Sequence, residues 1–464
     1  MALTNEDGAD VGPKGLVATP DKYISLGNLI DPTKPDVRDL YVSTFGDQGI
    51  TGFLDLTGAK KSAGTSDETV WYEEGRLHRT LTASCSGSTG TITKVDGVAV
   101  ATHAAVNATG VLRVNDVLLW PTGVRSIVTA TATGTTFTFT TVDLDGTGAP
   151  GTISSGQVNI IGNAYAQGTD QPATFYQTAL TKRVNPFIIT KDTFHVTGSQ
   201  ATNIGWLNVN GDYRWYMKNE MDARKRFMNQ REAMLMYSQL PADGSEISLG
   251  GEIVGSEGYF AAVEDRGIVA DNVTTSDADF AALNDMDEII LALDKEGAPS
   301  EYAMYLDRQT SLSIDTMLAT GVGANITAGL ASQFGAFNNS QDMAVNLGFK
   351  SFTRGGYTFH KHDWKMLNDP TVGGTHAAAK TALAVTGAMI PMSQVADAKS
   401  GQKAPSLEMN YKAAGNYSRD LDHWVEGGGV LGFATNGEDM AKFHYRSECN
   451  LVTRAANQHV LLKK

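Results

Sequence analysis

His360-Lys361-His362-Asp363 comes closest in this chain to a set of residues that could do chemistry. Side chains alternate along an extended strand, so His360 and His362 share one face and offer two imidazoles, the beginning of a transition-metal site. A third ligand would have to come from His376, Asp369 or His423, none at a diagnostic spacing. The plainer reading, a partly exposed hairpin strand, is preferred, and no metal or other cofactor is expected. Asp143-Leu144-Asp145-Gly146-Thr147-Gly148 resembles the start of a calcium loop but lacks the third carboxylate and the bidentate glutamate, which favours an acidic turn. Lys60-Lys61 and Glu73-Glu74 could be acid/base pairs, yet adjacent residues on an extended limb face opposite sides and do not converge. They are better candidates for ion pairs between subunits or for plain solvation. An isopeptide bond from one of the lysines is conceivable, but nothing specifies a catalyst for it. There is no GxxxxGK[ST] loop, no GxSxG elbow and no strand-linked GxGxxG, so the expectation is a protein without enzymatic activity or catalytic residues.

Composition narrows the function class. The 464 residues suggest roughly three structural units, and 49 glycines with only 13 prolines fit an ordered, loop-rich, β-containing chain. The net charge of -14 repels phosphate backbones, which disfavours sequence-specific DNA binding while leaving room for local basic faces. Cys85 and Cys449 lie far apart in sequence and form no CxxC pattern, as in a chain made in a reducing cytoplasm. The first residues lack a basic and an apolar signal region, and no run of 18 apolar residues occurs, so neither export nor membrane insertion is expected.

Residues 212–240 predict the dominant positioning element, a helix about 40 Å long. Asp212 suits its N-cap, while Pro241 and Asp243-Gly244 stop it. Tyr213, Met217, Met221, Phe227, Met228 and Leu235 recur at helical spacing, with Tyr216, Ala223 and Met234 widening the stripe. Its polar side carries Arg214, Lys218, Arg224, Lys225, Arg226 and Arg231 against Asp212, Glu220, Asp222 and Glu232. That face either meets packaged nucleic acid or is simply solvated, and solvation is favoured. Residues 1–44 read either as an arm whose short apolar patches, such as Tyr23-Ile24, adhere to a neighbour, or as a disordered terminus, and composition does not separate the two. From Leu81 to about Gly162 the chain alternates Thr, Val and Gly with period two, with Ile127, Thr129 and Thr131 on one side. This predicts a small inserted barrel or sandwich. Leu249 to Gly267 reads as a glycine-rich loop. A helix capped by Gly297 follows, then the strand SEYAMYL, a helix capped by Asp307, a hairpin turning at Gly355-Gly356, the strand AVTGAMIPM, and two closing strands around a turn near 455–457.

This order resembles that of the major capsid proteins of tailed double-stranded DNA phages, the Hong Kong 97-like fold, including the larger podovirus and crAss-like forms that carry an insertion. The resemblance runs from about residue 40 to the end and rests on element order rather than on a short motif. It implies an α+β chain: an N-terminal arm (1–44), an extended loop (45–78 and 164–190) and an inserted all-β domain (79–163). A peripheral domain (191–299) holds the spine helix 212–240, followed by an axial α/β domain (300–425) and closing strands returning to the peripheral domain (426–464). The implied role is a structural subunit assembling into pentamers and hexamers of an icosahedral head, located in the virion capsid and assembled in the host bacterial cytoplasm. Its implied partners are copies of itself, packaged double-stranded DNA through weak non-specific contact, and portal, scaffold and decoration proteins, with no membrane. On this reading Lys60, Lys61, Glu73, Glu74, Tyr23 and Ile24 are inter-subunit contacts, and Arg214, Lys218, Lys225 and Arg226 face DNA. The alternative is a phage tail or surface adhesin or polysaccharide hydrolase with a β-rich binding domain. The long helix and the α/β segment after Ser276 argue against it.

Overall fold

The computed structural model describes residues 60–62, 64, 66–100, 108–132, 137–145, 148–172, 180–202, 215–241, 255–271, 283–326, 351–368, 385–396, 403–428 and 435–463. The chain is mixed α+β and rich in strands. It divides into two compact units, one of Tyr72–Arg183 and one of Met1–Trp71 with Val184–Lys464. Among the described residues no helix is long and apolar enough to cross a membrane.

In the smaller unit, alternating Thr/Val segments become an antiparallel sheet that closes on itself. Leu81–Ser86 pairs with Ile153–Asn163, which pairs with Asp116–Leu119, then Arg125–Thr131, then Thr138–Asp143, then Thr89–Val95, which returns to Leu81–Ser86. Closure leaves only the short Val98–Ala99 outside the ring. Period two then sorts the side chains. Leu81, Ala83, Cys85, Ile92, Leu118, Trp120, Val128 and Phe139 fill the interior, while Thr129 and Thr140 face out. Trp120 and Phe139 stack with centroids 6.3 Å apart. The Trp120 indole N–H donates to Ser126 Oγ at 2.8 Å, so this large aromatic is buried without an orphaned donor. Gly90 is required by the packing, because a Cβ there would lie 2.2 Å from the Phe139 ring.

The larger unit is built on two sheets. In the first, the 14-residue strand Met440–Thr453 carries Ile188–Thr197 along one side, with Asp422–Gly427 and then Leu407–Tyr411 along the other. Lys60–Ser62 adds in parallel to Leu407–Tyr411. The second, six-stranded sheet has the order Ile268–Asp271, Val460–Lys463, Val385–Pro391, Glu301–Leu306, Tyr357–Asp363, Ser351–Arg354. One of its faces packs Tyr302, Met304, Phe359 and Leu462 against Met286, Leu293 and Ile314 of the helices Leu283–Lys295 and Arg308–Ile326. The opposite face packs Ala303, Tyr305, Ile390 and Leu461 into a core shared with Phe260, Leu235, Met409 and Leu451. Covered on both sides, Val385–Pro391 is buried at every position.

The local punctuation acts as its residue types dictate. The Asp307 carboxylate accepts from the Thr310 N–H at 2.7 Å and caps Arg308–Ile326. Gly297, at φ +63°, ends Leu283–Lys295. Gly355 and Gly356 both take positive φ in the tight turn between Ser351–Arg354 and Tyr357–Asp363.

Other expectations need correction. The described part of the long helix is Trp215–Tyr237, about 34 Å; it ends at Tyr237 rather than Leu240, Asp212 lies outside the described residues, and the buried side is not the expected stripe. Ala223 and Phe227 are buried in its first half, then Arg231, Glu232, Leu235 and Met236, whereas Met221 and Met234 are exposed. Its first half packs on Tyr445 of the five-stranded sheet through Phe227, and its second half enters the shared core through Leu235 and Met236. The stretch Leu249–Gly267 is not simply a loop, because Tyr259–Arg266 is a helix burying Tyr259, Phe260, Ala262 and Val263. Its flanking Gly258 serves close packing, since a Cβ would sit 2.6 Å from the Ser238 carbonyl oxygen. The boundaries 191–299, 300–425 and 426–464 do not follow the sheets either. Ile268–Asp271 and Val460–Lys463 belong to the sheet of Glu301–Leu306, while Leu407–Tyr411 and Asp422–Gly427 belong to that of Met440–Thr453. The two closing strands therefore enter different sheets, because strand partners are set by long-range pairing and not by adjacency in the chain.

His459, between those closing strands, makes that joint sensitive to acid. Its Nδ1 lies 3.0 Å from the Tyr259 hydroxyl, and complete burial lowers its pKa from 6.5 to about 3. Between those two values the unfolded chain binds a proton that the folded chain refuses. The resulting stabilisation is complete above about pH 6.5 and is lost as pH falls toward 3. Denaturant melts at pH 7 and pH 4 should show a smaller acid loss in His459→Gln than in the parent; equal losses would remove His459 as the cause.

Candidate interaction surfaces

Tyr23, Ile24 and Arg214 lie outside the described residues, as do His376 and Asp369. For Lys60, Lys61 and Lys218 only the backbone is described: the first two open the strand Lys60–Ser62 and the third lies in the first turn of the long helix.

Glu73 and Glu74 lie on Glu68–Glu74, which pairs with Leu180–Pro186 in a two-stranded ribbon. Glu73 is half-buried and accepts from Arg183 Nε at 3.4 Å, so this candidate contact already has a partner in its own chain. Glu74, one residue on, is exposed. Alternation along ETVWYEE buries Trp71 and exposes Val70 and Tyr72, and the neighbouring Leu77 and Leu180 are 79% and 66% exposed. Tyr72, Leu77 and Leu180, all of the smaller unit, are apolar side chains in water that association would cover. These apolar residues were missed in the sequence, although the adjacent Trp71-Tyr72 pair was a signal, since on a strand covered on one face only one of two neighbours is buried.

A knot of buried amides fixes the root of this ribbon. Asn185 is fully buried. Its Nδ2 donates to the carbonyl oxygens of Leu451 at 2.7 Å and Glu257 at 3.0 Å, and its Oδ1 accepts from the Glu257 N–H at 2.8 Å and Ser256 Oγ at 3.1 Å. Asn450, also fully buried, donates to the Asn185 carbonyl oxygen at 2.7 Å and to Thr69 Oγ1 at 3.0 Å. Residues near 69, 185, 256 and 450 are thereby tied at one point.

On the long helix, Arg224, Lys225 and Arg226 are exposed. Arg231, expected among them, is instead 4% exposed and bound to Asp420. Glu220 accepts from the Tyr445 hydroxyl, whose pKa is raised first by burial and then by that bond. Asp420 lies just past a small hairpin, Ala413–Ala414 with Tyr417–Ser418, whose flanking Lys412 and Arg419 both pair with buried Glu448. The charges in this region answer one another and do not form a binding field of one sign.

The histidine strand is Tyr357–Asp363. Tyr357 and Phe359 point into the core, while His360 and His362 line an open cleft of about 710 Å³ with Arg308, Asp315 and Met392 among others. His423, named as a possible third ligand, stacks on Tyr445 in the other sheet. Among the described residues no three His, Cys, Asp or Glu side chains converge as metal ligands. Of the acidic turn, Gly146 and Thr147 lie outside the described residues. Asp143 Oδ1 accepts from the Asp145 N–H at 3.4 Å, the local bonding of a turn.

No family model and no curated protein matches the chain. Solved structures similar to it include "Mycobacterium phage Ogopogo", with a TM-score of 0.43 and 8% identity over 95% of this chain and 99% of that one. Another is "Capsid structure of the Cyanophage P-SCSP1u", at 0.39 and 10% over 98% and 99%. A third is "Asymmetric unit of bacteriophage PhiM1 mature capsid", at 0.36 and 8% over 99% and 98%.

The Arg231–Asp420 pair gives a direct stability test. Removing one partner strands a buried charge, so Asp420→Ala should cost about 3 kcal/mol. The double variant Arg231→Met, Asp420→Leu should recover most of that loss. Urea titrations read both, and a near-neutral single variant would show that the pair does not hold the hairpin.

Proposed function

We propose that this chain is a structural subunit that assembles with copies of itself into pentamers and hexamers of an icosahedral, Hong Kong 97-like phage head enclosing double-stranded DNA. The observation that carries the reading is the exposure to water of the large apolar side chains Tyr72, Leu77 and Leu180 of the smaller unit. Apolar surface of this kind gains free energy when another surface removes it from water, at about 25 cal/mol per Å². A shell subunit covers such surface with its neighbour. The element order supports the same reading, with a long helix lying against a sheet and followed by strand-then-helix and hairpin units.

On this reading Lys60, Lys61, Glu73, Glu74, Tyr23 and Ile24 lie at subunit contacts. Lys225 and Arg226, with Arg214 and Lys218, turn toward packaged DNA. Contact with DNA is weak and non-specific, because the chain carries a net charge of -14. Portal, scaffold and decoration proteins join the list of partners, and the protein's work is containment without turnover.

Electron microscopy of the purified chain tests this. Closed shells, rings or tubes are expected from the parent. Tyr72→Glu with Leu180→Glu should abolish them while the melting transition stays within about 0.5 kcal/mol of the parent, as exposed substitutions do. Normal particles from that variant, or a parent that stays monomeric at high concentration, would overturn the proposal.

A further inference from the structure

Two imidazole pairs each share one sheet face among the described residues, and their surroundings differ. His195 and His444 lie on neighbouring strands, in register with Lys442 and Thr193 respectively. Burial first, then the Lys442 charge, lowers the pKa of His195, and His444 Nε2 lies 3.6 Å from Glu426. A dication at that pair would meet Lys442, in register with His195 on the same sheet face and itself bound to Glu438. At His360 and His362 the intervening cation, Lys361, lines the same cleft with its charge already answered by a carboxylate. Lys361 Nζ lies 2.6 Å from Asp315 Oδ1 and 3.3 Å from the Ser311 carbonyl oxygen of the helix Arg308–Ile326. Arg308, the other cation lining the cleft, is 2.7 Å from Asp363.

Room and orientation also favour the second pair. The register neighbours of His360 are Ala303 and Ser351, both small. His362 stacks on its register neighbour Tyr305, with centroids 5.3 Å apart and planes 22° from parallel, which holds the ring plane. Both histidines open on the same cleft of about 710 Å³, where water can complete a coordination shell.

We propose that His360 and His362 form a two-imidazole chelate for a borderline divalent cation such as Zn²⁺, with water in the remaining positions. Imidazole suits zinc, nickel and copper, whereas magnesium and calcium prefer oxygen ligands. With two protein ligands the site is open and exchanges its ion readily. Binding would tie residue 360 to residue 362 and add to the stability of this strand by mass action. The inference is independent of the assembly reading.

Calorimetric titration of the full chain with zinc chloride, paired with thermal melts, tests it. Saturable binding that raises Tm is expected, weaker by about tenfold or more in His360→Ala and in His362→Ala and unchanged in His195→Ala. Because His362 is exposed, its alanine variant retains the fold and keeps the test decisive. Magnesium chloride should give no comparable shift. Equal zinc affinity in the His360→Ala, His362→Ala double variant, or no zinc-dependent change in Tm, would sink the proposal.

Discussion

The amide knot at Asn185 is the constraint on which the larger unit depends. A buried side-chain amide has two donors and an acceptor oxygen to satisfy, and leaving any of them unpaired costs of order 1–3 kcal/mol. Asn185 meets both donors and both lone pairs with Leu451, Glu257 and Ser256, and its own carbonyl accepts from Asn450. Two of these bonds join segments more than 250 residues apart in sequence, since Asn185 lies 266 positions from Leu451 and 265 from Asn450. Hydrophobic packing tolerates small slides; a fully bonded amide in a dry site does not. The ribbon thus starts from a fixed point, even though its far residues present apolar side chains to water.

Charge serves a similar positional role in the long helix. An acidic chain with a mildly basic helix invites the idea of a field that attracts polyanions. Arg231 and Glu232 instead turn into the protein, and Arg231 reaches Asp420. Arg419 and Lys412 meet Glu448 in the same neighbourhood. Buried pairs of this kind contribute little net stability compared with well-packed apolar residues, but breaking one is costly, so they specify position more than they add strength. The exposed cations on the described part of the helix are Arg224, Lys225 and Arg226.

Particular residues show which parts of this were legible beforehand. Asp307 and Gly297 act as helix caps, and Gly355-Gly356 makes the tight turn, because a side chain's reach and a glycine's φ are properties of a few adjacent residues. The Thr/Val alternation of Arg125–Thr131 marks a strand for the same reason. Met221 and Met234 look like core residues at helical spacing, and only the packing of the helix against its distant neighbours leaves them exposed. Tyr259–Arg266 was hidden by glycines that look like loop residues, although Gly258 is there to let backbones meet.

From the sequence alone follow the strand-rich α+β character, the caps and turns, the acidic charge, and the placing of His360 and His362 on one face of a strand. Each depends on residues within a turn or two of one another. The tertiary structure alone decides that Val460–Lys463 leaves Met440–Thr453 for another sheet, that Arg231 is buried, that Lys361 is tied to Asp315, and that Asn185 holds the root of the ribbon. These depend on which distant segments meet. Backbone pairing is much the same for any strand partner, so the choice falls to packing and polar satisfaction over the whole unit, which no local pattern encodes.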